Sequence, residues 1–189
     1  MGTKAKRTSA KAPAKSQKTG KGASKVREIG AVVAFSARSS RRAERLSHLS
    51  DAIGPEVVSH LGISSGPGLE IVRRSIEEGI PASAVTELQK ELGELNVPRP
   101  SKYVEAIASR ASRARRKTLT PQEGERLVRV ASVLARALDV WEDESDAADF
   151  LTSPHPMLSG EAPVDRARSE LGARQVEDLL TKLDLGLPV

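Results

Sequence analysis

The sequence predicts a mainly α-helical protein: a helix-turn-helix region, then a small helical domain, with a disordered basic tail in front. Three observations carry this expectation. Apolar residues recur at spacings of three and four through most of the chain from Leu69 onward. Proline and glycine interrupt that rhythm at intervals suited to short helices. The first 27 residues hold nine Lys/Arg, no acid and, after Met1, only Val26 as a large aliphatic residue.

Composition narrows the function classes. A chain of 189 residues has room for one ordinary domain or two small ones. With nine of its 30 Lys/Arg in the tail, residues 28–189 carry 21 basic against 25 acidic residues, so the body is mildly acidic. Four aromatics (Phe35, Tyr103, Trp141 and Phe150) are too few for base-stacking platforms. The absence of cysteine excludes disulfides, thiolate metal sites and a cysteine nucleophile. The longest notable apolar run, Ala31–Phe35, is far short of the roughly 20 residues of a membrane span. The basic start is not followed by the apolar segment of a signal peptide, so a cytoplasmic location is expected.

Residues 1–27 read as the disordered tail, because they cannot bury enough apolar surface to offset backbone ordering. Their spaced lysines suit counterion release from DNA; a solubilising tail is the plainer alternative. Residues 28–68 are the hardest to read. Ile29–Phe35 suggests a short strand, and Ser40–Leu49 a basic helix carrying Arg41, Arg42 and Arg45. The string Gly62-Ile63-Ser64-Ser65-Gly66 matches a hydrolase nucleophile elbow in letters only. That elbow needs a central strand before it and a helix after it, together with a sheet that brings up His and Asp. His48, His60 and His155 lack the i, i+4 spacing of helical metal ligands. No catalytic residue, metal site or cofactor is expected.

Leu69, Val72, Ile76 and Ile80 mark the first clear helix, and Gly79 followed by Pro81 ends it and starts another. Val85, Leu88, Leu92 and Leu95 form the next apolar face, ended by Asn96–Pro100. Ser101 is a plausible N-cap for a helix over Lys102–Ala106. Beyond it, Ile107, Ala111 and Ala114 form a thin apolar seam among arginines and serines. Residues 99–117 hold seven basic residues against Glu105 alone. Two short helices, a break and a basic helix follow helix-turn-helix order, and a solvated basic helix is the plainer reading. The residues expected on DNA are Ser109, Arg110, Ser112, Arg113, Arg116 and Lys117. Thr120-Pro121-Gln122-Glu123 is a capping box opening a long helix that buries Leu127, Val130, Leu134, Leu138 and Trp141. The acidic stretch Glu142–Asp149 lacks the spacing of a calcium loop and reads as the start of a helix leading to Phe150 and Leu151.

The run from Phe150 to Asp165, with Pro154, Pro156, Leu158, Gly160, Pro163 and Asp165 at fixed offsets, resembles the signature of Xre/MbcA/ParS-type antitoxins. These are encoded beside RES-domain toxins. The likeness continues through Gly172-Ala173-Arg174-Gln175-Val176-Glu177-Asp178-Leu179-Leu180. Upstream, Arg115-Arg116-Lys117 and Leu119–Glu123 are similar to the family's segment before its long helix. The resemblance spans roughly residues 69–189 and is strongest over 119–183. Departures are Ala106-Ile107-Ala108, where many relatives carry a glycine in the turn, and Gly124, where serine is usual.

The resemblance implies an antitoxin that neutralises an NAD⁺-consuming RES-domain toxin and represses its own operon, as a homodimer inside a larger complex. Behind the tail (1–27) and N-terminal segment (28–68), which have no counterpart in the family, it implies an Xre-like helix-turn-helix region (69–141) and a C-terminal toxin-binding domain (142–189). Pro154, Pro156, Leu158, Gly160, Pro163, Asp165, Arg174, Leu187 and Val189 are then the toxin-binding candidates. A stiff proline-spaced loop loses less entropy on docking than a flexible one. Fourteen acids against seven bases over 121–189 suit a basic protein cleft better than DNA. Gly186 is a candidate helix C-cap, leaving Leu187–Val189 either to enter the toxin's cleft or to pack back on the helix. The alternative to an antitoxin is a stand-alone DNA-binding or nucleoid-associated protein. Any enzyme reading lacks a converging set of groups.

Overall fold

A computed structural model describes residue 37 and residues 40–63, 66–141 and 143–189. The basic tail, the strand expected at Ile29–Phe35, Ser64 and Ser65 of the elbow-like string, and Glu142 lie outside the described residues. Ser36–Val189 cluster as one compact unit. The protein is mainly helical. Among the described residues the only extended pairing is an isolated antiparallel bridge between Pro81 and Thr118.

Helical residues 40–45 (α1) lead into α2 (Ser47–Ile53) and α3 (Pro55–Ser59). Then come α4 (Pro67–Glu78), α5 (Ala84–Glu94), α6 (Pro100–Ile107), α7 (Arg110–Arg115) and α8 (Pro121–Val140). The chain ends with α9 (Glu144–Thr152), a 3₁₀ turn (Pro156–Leu158), α10 (Pro163–Arg166) and α11 (Glu170–Asp184). Pro55, Pro67, Pro100, Pro121, Pro156 and Pro163 each open one of these elements. There the fixed φ is already helical and the missing N–H has no intrahelical partner to lose. Proline thus punctuates this fold at helix starts.

The long helix α8 is the central post. From Val130 to Leu138 all residues but Arg136 are buried, so that stretch is surrounded on nearly every side. It packs against α4, α6, α9, α10 and α11, while α5 packs against α2 and α6. Its N-terminus carries the expected capping box: the Thr120 side chain accepts from the Glu123 amide, and the Glu123 carboxylate accepts from the Thr120 amide at 2.9 Å. Trp141 ends it half-buried, its ring stacked on Phe150 with centroids 4.4 Å apart.

Residues 46–61 join the same core. Leu46, Leu49, Val58 and Leu61 are all buried in the cluster that extends to Leu180. The expected helix over Ser40–Leu49 is broken at Leu46, and its arginines turn inward. Arg42 donates to the carbonyls of Ser59 and Leu61 and pairs with Asp139, both side chains buried. Arg45 donates to the carbonyls of Leu138 and Trp141. The last carbonyls of α8 have no intrahelical donors; Arg45 supplies one at that negative end, and Arg42 adds its charge there through Asp139.

Two helix starts differ from expectation. The helix after the Asn96–Pro100 break opens at Pro100, with Arg99 as N-cap at φ 52°, so Ser101 is inside it. Gly79 closes α4 as expected, but Pro81 sits in the bridge, and α5 begins only at Ala84.

Candidate functional site

The first surface is built around α7. Ile107 ends α6, Ala108 is extended, and Ser109 caps α7 by accepting from the Ser112 amide at 3.2 Å. The seam expected through Ile107, Ala111 and Ala114 is therefore not continuous: the backbone turns at Ala108, and Ala111 and Ala114 are exposed. Ser112 and Arg113 occupy the inward face instead. The Arg113 side chain is only 14% exposed and pairs with Glu105 at 3.0 Å. Glu105 also accepts from the Arg110 amide at 3.2 Å, so one carboxylate ties α6 to the start of α7.

The exit from α7 is clamped as firmly. Ala82 donates to the Lys117 carbonyl at 2.9 Å, and Leu119 donates to the Ile80 carbonyl at 2.8 Å. Arg116 pairs with Glu123 at 2.8 Å. Burial pushes the Glu123 carboxyl up, but bonds from the Thr120 amide and hydroxyl and from Arg116 outweigh it and hold it below the ordinary range. Of the six residues expected on DNA, Arg113 and Arg116 are thus engaged within the fold, while Ser109, Arg110 and Lys117 lie exposed. Arg115, not singled out from the sequence, is exposed beside them.

The second surface is the C-terminal region. Asp143 caps α9 by accepting from Ser145 at 2.7 Å, which gives the acidic stretch its role at a helix N-terminus. The proline loop then folds on itself. His155 donates from its backbone to the Glu161 carbonyl at 3.1 Å, its ring accepts from the Met157 amide, and its carbonyl accepts from Gly160. Ser159 and Gly160 sit at φ 59° and 75°, turning the chain back. Arg166 fastens the loop to α11 by donating to Gln175 at 2.9 Å and pairing with Glu161 at 3.1 Å.

The toxin-binding candidates divide by burial. Leu158 and Pro163 are buried and anchor the loop from within, a correction to the expectation that they face a partner. Pro154, Pro156 and Gly160 are exposed on it, with Met157 between them. Asp165 pairs with Lys102 of α6, and Arg174 pairs with Glu170 on the open face of α11. Gly186, at φ 63°, ends α11: its amide donates to the Leu183 carbonyl and that of Leu187 to Lys182, the paired bonds of a Schellman cap. Leu185, Leu187 and Val189 remain about half exposed or more, and Leu171 is 69% exposed.

Comparison with known families assigns this second surface. Residues 136–186 match the model of the antitoxin Xre/MbcA/ParS C-terminal toxin-binding domain. The match runs from within α8 to the glycine that closes α11. It supports an antitoxin role, implies a toxin partner, and suggests a regulatory protein more than an enzyme. No curated protein matches the chain. Among the described residues no helix is long and apolar enough to cross a membrane.

Proposed function

We propose that this protein is the antitoxin of a type II pair, that it holds a RES-domain NAD⁺-consuming toxin inactive, and that it represses its own operon by binding DNA as a homodimer in the cytoplasm. The observation that carries the reading is the family match over 136–186, on a region whose proline loop and last apolar residues are left uncovered. Pro154, Pro156, Gly160, Arg174, Leu187 and Val189 form the toxin-facing set in this proposal, with Leu158 and Pro163 holding the loop in shape. The α6–α7 pair reads DNA, with Arg110, Arg115 and Lys117 free to reach phosphates or base edges. Arg113 and Arg116 position α7 first and reach DNA only by exchanging their carboxylate partners. The functional division falls between 69–141 and 142–189, and the nine basic residues of 1–27 add sequence-independent attraction to DNA.

Co-expression with a RES-domain toxin tests the toxin half. The full chain should restore growth and suppress NAD⁺ loss, and failure to bind any RES-domain toxin removes that half. Replacing Arg110, Arg115 and Lys117 by Ala should weaken operator retardation while toxin binding persists. Retardation unchanged in that variant would move DNA binding away from α7.

A further inference from the structure

We infer that the small cleft between α6 and the start of α10 is a phosphoryl-binding site, built from Arg99, Lys102 and Tyr103, in which the Asp165 carboxylate occupies the anion position of the free protein. The site itself stands apart from the toxin reading; only its DNA arm draws on the proposed role of α6 and α7.

Tyr103 is the first reason. It is 5% exposed, yet it lines this cleft, and its hydroxyl has no hydrogen-bond partner among the described residues. Asp165, Lys102 and Arg99 line the same cleft, so Tyr103 stands among charged groups. Burial first, then the Asp165 charge, push its ionisation above the ordinary tyrosine value, so it stays a neutral donor. The hydroxyl is not among the buried polar atoms left without a partner, so it opens into the cleft, where an anion can accept from it.

Charge is the second reason. Lys102 pairs with Asp165 at 2.5 Å, whereas Arg99, which lines the same cleft, forms no ion pair among the described residues. Two cations thus face one carboxylate. The α6 N-terminus, opening at Pro100 beside the cleft, adds its partial positive charge in the same place. The cavity, about 160 Å³, is below the roughly 300 Å³ of small-molecule pockets, so it fits a single anionic group more than a whole cofactor. A phosphoryl group carries more charge and more acceptor oxygens than a carboxylate. It can engage Lys102, the Arg99 guanidinium and the tyrosine hydroxyl together. Asp165 then becomes its competitor, and that competition links the matched C-terminal domain to the helix preceding α7.

The test uses the full chain with two probes at matched ionic strength: inorganic phosphate, followed by calorimetry, and a short duplex DNA, followed by anisotropy. Asp165→Asn should tighten phosphate binding, and Lys102→Ala should weaken it, each by about tenfold. Tyr103→Phe, which removes only the hydroxyl, should weaken it several-fold, with circular dichroism and melting confirming that each variant is folded. If the phosphoryl group comes from the DNA backbone, Lys102→Ala also lowers duplex affinity and reduces the salt slope by about one. If it is free phosphate, duplex affinity stays unchanged while phosphate binding moves, and the site stands. Neither probe responding to Asp165→Asn and Tyr103→Phe overturns the proposal. Toxin inhibition is not read in either assay, so a failure of the antitoxin reading would leave these results unaffected.

Discussion

Glu91 is a carboxylate buried between two helices, where its side chain accepts from the Leu49 amide of α2 at 3.0 Å. Burial pushes its ionisation up more than that amide bond pulls it down. The folded state therefore binds a proton more readily than the unfolded chain. The charged form is unfavourable above the carboxylate range, and that cost fades as pH falls through the raised folded-state value toward the ordinary 4.5. Glu91→Gln keeps an acceptor for Leu49 and removes the charge. It should raise the melting temperature at pH 7, with the gain shrinking toward zero at pH 4, measured by thermal denaturation across that range. Gly172 is the opposite case, a residue defined by the space it leaves. A Cβ there would lie 2.0 Å from the Arg166 carbonyl oxygen, which is backbone and cannot swing aside. Gly172→Ala should cost about 3 kcal/mol in a denaturant titration, because α10 and α11 must move apart.

At the scale of elements, α8 depends on what closes its two ends. Thr120 and Glu123 close the first from within the same segment. Arg42 and Arg45 close the second from nearly a hundred residues upstream. Removing one partner of the buried Arg42–Asp139 pair leaves the other charged in a dry site, so Arg42→Ala should destabilise the protein by about 3–5 kcal/mol. Asp139→Asn in the same background should recover part of that loss, as urea denaturation of the single and double variants would show. The six-residue α7 is too short to hold itself together, and it persists because Ser109, Glu105 and the 80–82/117–119 pairing fix both its ends.

For the molecule as a whole, the decisive feature is one core. The buried cluster runs from Leu46 to Leu180 without a gap at the proposed functional boundary near Trp141. Residues 36–189 should then unfold in a single cooperative step. Trp141, the sole tryptophan, sits at the seam between α8 and α9, so its fluorescence reports on that boundary. Its thermal transition should superimpose on that of far-UV circular dichroism. Two separated midpoints would mean that the DNA-facing and toxin-facing parts fold independently.

Much of this was legible in the residues themselves. Helical periodicity over Leu69–Leu95 and Leu127–Leu138, the capping box at Thr120–Glu123 and the Gly186 cap all depend on neighbours within one or two turns. Local chemistry suffices for them. The proline-spaced signature was equally readable, because its prolines and glycine constrain the backbone wherever the loop sits. What the sequence left hidden are relations between distant segments. The arginines of α1 look like a basic surface helix until Asp139 and the end of α8 stand beside them. Ala111 and Ala114 look like a seam until the chain turns at Ala108 and rotates them outward. Lys102, Tyr103 and Asp165 share no motif, and only the approach of α10 to α6, through the Lys102–Asp165 pair, makes a charged cleft of them. Such contacts carry no periodic trace, since charge pairing and burial are settled by which helices the common core brings together.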